Sequence, residues 1–175
     1  MSHEKGLIMV NTGDGKGKST AGFGLALRSL GHGRKVCLIQ FMKGNELYGE
    51  AKAMKELLPM LRLEQTGTSS FVDRDNPDQI DIEEAERGLA LAKEALDGSY
   101  DLVILDEINV AMDFGLISTE QVIRLLEAKS PIVDVLLTGR YAASKVCDMA
   151  DMVSEVKEVK HHFAKGIPAK AGIEF

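Results

Sequence analysis

The stretch Asn11 to Thr20, Asn-Thr-Gly-Asp-Gly-Lys-Gly-Lys-Ser-Thr, restricts this chain more than any other part of it. The apolar run Gly6 to Val10 precedes it and predicts a buried strand. Ala21 to Leu30 follows and predicts a helix. Strand, Gly-rich turn and helix in that order are the context of a phosphate-binding loop. Gly13, Gly15 and Gly17 admit positive φ and put no side chain between backbone and ligand. Successive N–H groups then converge on phosphate oxygens at the positive end of the helix. Lys18 adds a cation there, and the Ser19 hydroxyl offers the hard oxygen that Mg²⁺ prefers. The usual pattern is Gly, four residues, then Gly-Lys-Ser/Thr. Here Thr12 holds the first position, the glycine comes one residue late, and Lys16 is an extra cation inside the loop. That departure implies a phosphate loop of unusual geometry. The candidate ligand-binding set is Thr12, Gly13, Asp14, Gly15, Lys16, Gly17, Lys18, Ser19 and Thr20.

A chain of 175 residues suits one domain, 1–175, with a full core. The net charge of -6, with no basic stretch, argues against a general nucleic-acid binder. No apolar run reaches membrane-spanning length and no secretory segment opens the chain, so a cytoplasmic protein is expected. Cys37 and Cys147 lack metal-ligand spacing and read as small buried hydrophobes.

Apolar strands alternate with helical patterns along the rest of the chain. This predicts a three-layer α/β fold with a mainly parallel sheet. Phe23, Ala26, Leu27 and Leu30 form the expected core stripe of the first helix. Lys35 to Phe41 is the second strand. Gln40 and Lys43 follow at its carboxyl end, the ligand side of such a sheet. A helix is expected over Asn45 to Leu58, ended by Pro59, then a short strand, Leu61 to Gln65. The polar loop Thr66 to Gln79 is long enough to suggest function, and Phe71 is its one aromatic. Phe71 either stacks on a flat ligand or tucks into the core. Asp81 and Glu84 form a capping box for a helix running to about Leu96.

Tyr100 to Glu107 is the second strong signal: four apolar residues feed an acidic pair, Asp106 and Glu107. In phosphate-loop proteins this strand is expected beside the first. Its Asp serves the Mg²⁺ shell and its Glu orients a water or second ligand. The metal candidates are therefore Ser19, Asp106 and Glu107. Asn109 and Asp113 are expected in a connecting segment. Ser118 and Gln121 cap a helix, Thr119 to Ala128, and Ile132 to Leu137 is a strand ending in Thr138-Gly139-Arg140. Arg140 is a candidate phosphate clamp, since its planar fork suits phosphate. A helix-like stretch with Met149 leads to a last strand, Met152 to Val159, and an ordered tail. His161 and His162 are adjacent; on a strand they face opposite sides and suit one metal poorly. His3 stands in a frayed N-terminus.

Together, Gly13 to Thr20, Gln40 to Gly44, Leu105 to Glu107, Leu137 to Arg140, and the tail Val159 to Gly166 with Gly172 to Phe175 resemble one family closely. It is the phosphate-loop type of ATP:corrinoid adenosyltransferase of cobalamin biosynthesis and salvage, and the likeness runs from about Gly6 to Phe175. The resemblance implies that a corrinoid reduced to Co(I) attacks C5′ of ATP and inorganic triphosphate leaves. It implies ATP and corrinoid as substrates, Mg²⁺, an electron donor such as a flavoprotein, and a homodimer. It also implies that ATP lies in the orientation opposite to that in phosphate-loop hydrolases. By the same carry-over, Gly13, Gly15, Lys16, Gly17, Lys18, Ser19 and Thr20 hold triphosphate, and Ser19, Asp106 and Glu107 organise Mg²⁺. Lys18, Asp106, Glu107 and Arg140 are the expected catalytic residues; Gln40, Lys43 and Phe71 join the ligand-binding set. No general base is needed, because the nucleophile is the cobalt, and a histidine on cobalt is disfavoured. Two features depart from the pattern. Only Met1 to Lys5 precede the first strand, where relatives can carry a segment that folds over the corrinoid. An aromatic pair is replaced by Ser69-Ser70-Phe71-Val72. Two other functions fit the motifs: an ATPase with Glu107 positioning water, and a non-catalytic nucleotide switch.

Overall fold

The computed structural model describes residues 5–44, 49, 52–53 and 60–174. The expected helix over Asn45 to Leu58 falls largely outside the described residues, as do His3 and Phe175. In chain order the elements are β1 (Ile8–Thr12), α1 (Lys18–Gly31), β2 (Val36–Phe41), β3 (Leu61–Thr66), α2 (Gln79–Ala95), β4 (Leu102–Asp106), α3 (Ile108–Asp113), α4 (Thr119–Ala128), β5 (Asp134–Thr138), α5 (Ser144–Met149) and β6 (Met152–Glu155). A 3₁₀ turn, His162–Lys165, lies in the C-terminal segment.

The six strands form one sheet in the order β3-β2-β4-β5-β1-β6, and every pairing is parallel. β2 and β4 are buried along their whole length, because helices cover both faces. Alternate residues serve opposite layers. Val36, Leu38, Leu102, Ile104 and Leu136 pack against Phe23 and Ala26 of α1. Cys37, Ile39, Val103, Leu105 and Leu137 face a core shared with α2, α3, α4 and α5. Helix, sheet and helix make the three expected layers.

β4 does not lie beside β1, as the sequence suggested; β5 pairs with both and separates them. The α1 stripe also differs from expectation. Leu27 is 59% exposed, and the buried face instead runs through Lys18, Gly22, Phe23, Ala26 and Ser29. Gly22 faces Ile104 and Leu136 across the helix–sheet contact. The cap of α2 is Asp78 rather than Asp81. Asp81 is the third helical residue and accepts the Asp78 N–H at 3.2 Å. Glu84 is thereby left to accept the Gly67 N–H at 3.1 Å. The segment holding Asn109 and Asp113 is helical, α3. Ser118 and Gln121 do form the predicted capping box, with the Gln121 N–H donating to Ser118 Oγ at 3.2 Å. β5 starts at Asp134 and β6 ends at Glu155, shorter than expected by a few residues at one end each.

Parallel pairing brings all six carboxyl ends to one edge of the sheet. The segments that leave this edge carry the loop after Thr12, Lys43, Gly67, Glu107, Arg140 and the C-terminal segment. Three non-glycine residues with positive φ, Met42, Glu107 and Tyr141, sit on this edge just after strands. Such backbone persists where surrounding contacts impose it, and it clusters at functional sites.

Candidate active site

The loop between β1 and α1 has two different uses for its glycines. Gly17 is the N-cap of α1 at φ 118°, and a Cβ there would meet nothing within 4 Å, so its backbone faces open space. At Gly15 a Cβ would lie 2.7 Å from the Lys157 carbonyl carbon. The Gly15 N–H donates to Val156 O at 2.8 Å, and the Val156 N–H to Thr12 O at 2.8 Å. Gly15 is therefore required by the chain that leaves β6, not only by a ligand. The loop is walled on one side by the start of the C-terminal segment.

Open space in front of the loop forms a cavity of about 780 Å³. Asp14, Gly15, Lys16, Gly17, Lys18, Ser19 and Thr20 line it from the loop. Lys43, Phe71, Glu107 and Arg140 line it from the other strand ends. Of the expected ligand-binding set, Thr12, Gly13 and Gln40 do not line it, and neither does Asp106. Thr12 Oγ1 accepts the Ala142 N–H at 3.2 Å. Gln40 is fully buried and donates to Asp106 Oδ2 at 3.0 Å. A second cavity of about 340 Å³ shares Lys43 and Phe71 with the first and is walled by Met42, Val72 and Phe114. Phe71 is fully exposed between the two, so it does not tuck into the core.

The charges are arranged around two carboxylates with opposite surroundings. Asp106 is buried; Thr138 Oγ1 donates to its Oδ1 at 2.7 Å, and Lys43 Nζ donates to its Oδ2 at 2.9 Å. Burial alone would raise its pKa, but the Lys43 ammonium and the Thr138 and Gln40 donors outweigh that and hold it below the usual carboxylate range. Glu107 goes the other way. Burial pushes its pKa up, the Asp106 charge adds to that, and Lys43, Lys18 and Arg140 only partly oppose it. Its backbone turns to φ 63°, and its N–H donates to the same Thr138 hydroxyl at 3.1 Å. That turn swings its side chain into the cavity while Asp106 stays in the sheet.

Lys18 is buried and its Nζ donates to Gly15 O at 2.6 Å. Burial lowers its pKa, with Glu107 the largest opposing influence. Arg140 closes the loop from the β5 side, donating to Asp14 O at 3.2 Å. The extra lysine of the loop, Lys16, is held by Glu174 at 3.0 Å.

The sequence reading takes the C-terminal tail as ordered and as part of the resemblance, but assigns none of its residues to the site. Glu158, His161, Phe163 and Glu174 line the same cavity. His161 and His162 are not on a strand, and their rings lie 4.5 Å apart instead of facing opposite ways. With Glu174 they place three donor atoms within 4.8 Å of one another. These donors are already used, however. Glu174 holds Lys16, and His161 Nδ1 accepts the Phe163 N–H at 3.3 Å, which puts the proton of a neutral ring on the other nitrogen. The group is a hydrogen-bonded charge network.

A three-layer parallel α/β fold with a phosphate loop, and an acidic strand end facing it, defines a nucleotide-binding protein of the phosphate-loop class. The fold agrees with a solved structure titled as that of the RadB recombinase, with a TM-score of 0.56 at 15% identity over 90% of this chain and 77% of that one. The family model for ATP:corrinoid adenosyltransferase BtuR/CobO/CobP matches residues 4–175. Relatives named corrinoid adenosyltransferase are 39% identical in Sinorhizobium sp, 36% in Pseudomonas aeruginosa and 35% in Escherichia coli K12. Each alignment spans 98% of this chain and 81%, 85% and 87% of the relative. The chain belongs to the ATP:corrinoid adenosyltransferase family.

Proposed function

We propose that this chain, acting as one nucleotide-binding unit, transfers the 5′-deoxyadenosyl group of ATP to the cobalt of a reduced corrinoid and releases inorganic triphosphate. One observation carries the site assignment. Lys16, Lys18, Ser19, Glu107 and Arg140 come from three separate strand ends to one cavity, and that cavity adjoins, through Lys43 and Phe71, a second one of mixed apolar and hydroxyl lining. The first suits a triphosphate; in the second, Met42, Phe71, Val72 and Phe114 suit the face of a flat ring, and Thr68, Ser69 and Ser70 suit polar groups at its edge. In the reaction the Co(I) electron pair forms the Co–C5′ bond. The C5′–O bond breaks, and its pair leaves on the triphosphate. Cobalt goes formally from Co(I) to Co(III), C5′ is reduced by the same two electrons, and triphosphate is displaced from it. The protein needs no proton acceptor for this step. Its residues contribute by holding C5′ in line and by offsetting charge on the leaving group.

The residues also fit Mg²⁺. The Glu107 carboxylate faces the cavity with no hydrogen bond among the described residues, and Ser19 lines the same space. Glu107 and Ser19 would hold the ion, with Asp106 behind them. Bound there, it would screen triphosphate charge. An electron donor such as a flavoprotein supplies Co(I), and the enzyme works as a homodimer in the cytoplasm.

Product analysis tests the reaction. Reduced corrinoid, MgATP and the protein are expected to yield triphosphate and a light-sensitive adenosylcorrinoid in equal amounts, with little ATP consumed when corrinoid is omitted. Rapid corrinoid-independent release of ADP would mean that Glu107 activates water and that the protein is a hydrolase. Phe71 gives a second test. Phe71→Ala is expected to raise KM for the corrinoid about tenfold, the worth of one well-placed aromatic contact, with ATP affinity and Tm unchanged. Unchanged corrinoid kinetics would remove Phe71 from the corrinoid site.

A further inference from the structure

The C-terminal segment, residues 156–174, touches the phosphate loop twice. At its start, the Gly15 N–H and the Thr12 carbonyl bond to Val156. At its end, Glu174 Oε2 takes Lys16 Nζ at 3.0 Å. Between these points the segment arches along the rim of the cavity and presents Glu158, His161, Phe163 and Ala164 to it. The closing end is built for its task. Glu174 rests on a turn, its N–H donating to Lys170 O at 2.8 Å. Its second oxygen, Oε1, meets His162 Nε2 at 3.2 Å and His161 Nε2 at 3.9 Å. His162 is itself aimed by the Ile167 carbonyl, 2.9 Å from its Nδ1. The Glu174 side chain keeps only 20% of its surface exposed, although it lies at the end of the chain.

We propose that Glu174 is a positioning residue for Lys16, and that through it the C-terminal segment is latched over the nucleotide cavity. Lys16 stands on a flexible four-carbon stem whose rotamer freedom must be lost when it binds a phosphate. The Glu174 carboxylate, 3.0 Å from its Nζ, fixes the ammonium at the cavity. An ammonium has three donors, so one can stay on Glu174 while others serve phosphate oxygens. Fixing Lys16 before the nucleotide arrives removes an ordering cost from binding. The proposal rests on the reading of the loop as the ATP site.

Two measurements on the full chain separate it from that reading. The first is steady-state kinetics of Glu174→Gln, Glu174→Asp, Lys16→Gln and the Lys16→Gln/Glu174→Gln double variant. Glu174→Gln is expected to raise KM for ATP about tenfold with kcat within a factor of two, and Glu174→Asp to recover most of the loss. In the Lys16→Gln background the Glu174 substitution should add nothing, since coupled residues are not additive. Equal effects in both backgrounds would overturn the positioning role. The second is limited trypsin digestion without nucleotide, read at Lys165 and Lys170. Glu174→Gln should be cut several-fold faster than wild type; equal rates would overturn the latch. Four groups face His162: Glu174, His161, Lys16 and the Ile167 carbonyl. The Ile167 carbonyl and Glu174 raise its pKa, outweighing Lys16. A raised pKa stabilises below the ordinary imidazole value and loses that contribution as pH rises through the folded one. Protection of the wild-type segment should therefore fall as pH rises above about 6.5, and the step should be smaller in the Glu174→Gln variant, which keeps the Ile167 carbonyl but loses the carboxylate. If Lys18→Ala leaves MgATP binding intact while the digestion result holds, the loop assignment is at fault and the latch stands.

Discussion

Lys18→Ala is expected to weaken MgATP binding by about 30-fold or more and to abolish measurable transfer, since losing one partner of a desolvated charge contact costs about 2–5 kcal/mol. The side chain is buried at the first turn of α1, with its Nζ curled onto Gly15 O at 2.6 Å. It therefore enters the cavity with the loop's own backbone as its guide. The ammonium is partly desolvated, and burial has already lowered its pKa. A triphosphate beside it would restore a charged partner. Lys18→Arg should not rescue activity, because the fork of a guanidinium cannot adopt a contact shaped for one compact ammonium. Isothermal calorimetry with MgATP and a corrinoid turnover assay check both points. Wild-type affinity together with full activity in Lys18→Ala would remove this lysine from the triphosphate site.

The loop was legible because its signals are local. Gly17, Lys18 and Ser19 stand in consecutive positions between an apolar run and a helix, and no distant contact is needed to read them. The acidic pair was legible for the same reason. The insertion of β5 between β1 and β4 was not. Strand neighbours are fixed by pairings between distant segments, such as Val10 with Leu137 and Leu105 with Leu137, and periodicity within one strand does not encode them. The division of labour between Asp106 and Glu107 was also hidden. It depends on one dihedral, the positive φ of Glu107, and on Thr138 arriving from another strand to bind both residues. Gln40 read as a ligand-side group because it stands near a strand end; in the fold it lies one residue too deep and spends its amide on Asp106. The order of the C-terminal tail was legible, but its place at the cavity was not. Glu174 and Lys16 are separated by almost the whole chain, and only the folded path through β6 brings them together.

Asp106→Asn is expected to lower Tm by about 6–12 °C, equivalent to roughly 3 kcal/mol for a domain of this size. Asp106 is the charge at the centre of the sheet edge. It is buried, and it accepts hydrogen bonds from Lys43, Gln40 and Thr138. An amide in its place removes the negative charge from a Lys43 side chain that is only 13% exposed. It also turns one acceptor into a donor that faces other donors. Weakening a buried pair by changing one member is costly because the remaining charge stays desolvated. The pH dependence has a definite sign. The folded pKa of Asp106 lies below its unfolded value, so its contribution is present above the unfolded value of about 3.9 and is lost as pH falls through the folded one. Wild-type Tm should therefore drop below about pH 4 more steeply than that of Asp106→Asn, and the two curves should approach each other in acid. Mg²⁺ titrations separate this structural role from metal binding. Glu107 faces the cavity and Asp106 does not, so Glu107→Gln should raise the Mg²⁺ concentration needed for half-maximal activity more than Asp106→Asn does. Equal thermal stability of wild type and Asp106→Asn at neutral pH would show that the Lys43 pair contributes nothing to the fold. A larger Mg²⁺ shift for Asp106→Asn would move the metal shell from Glu107 to Asp106.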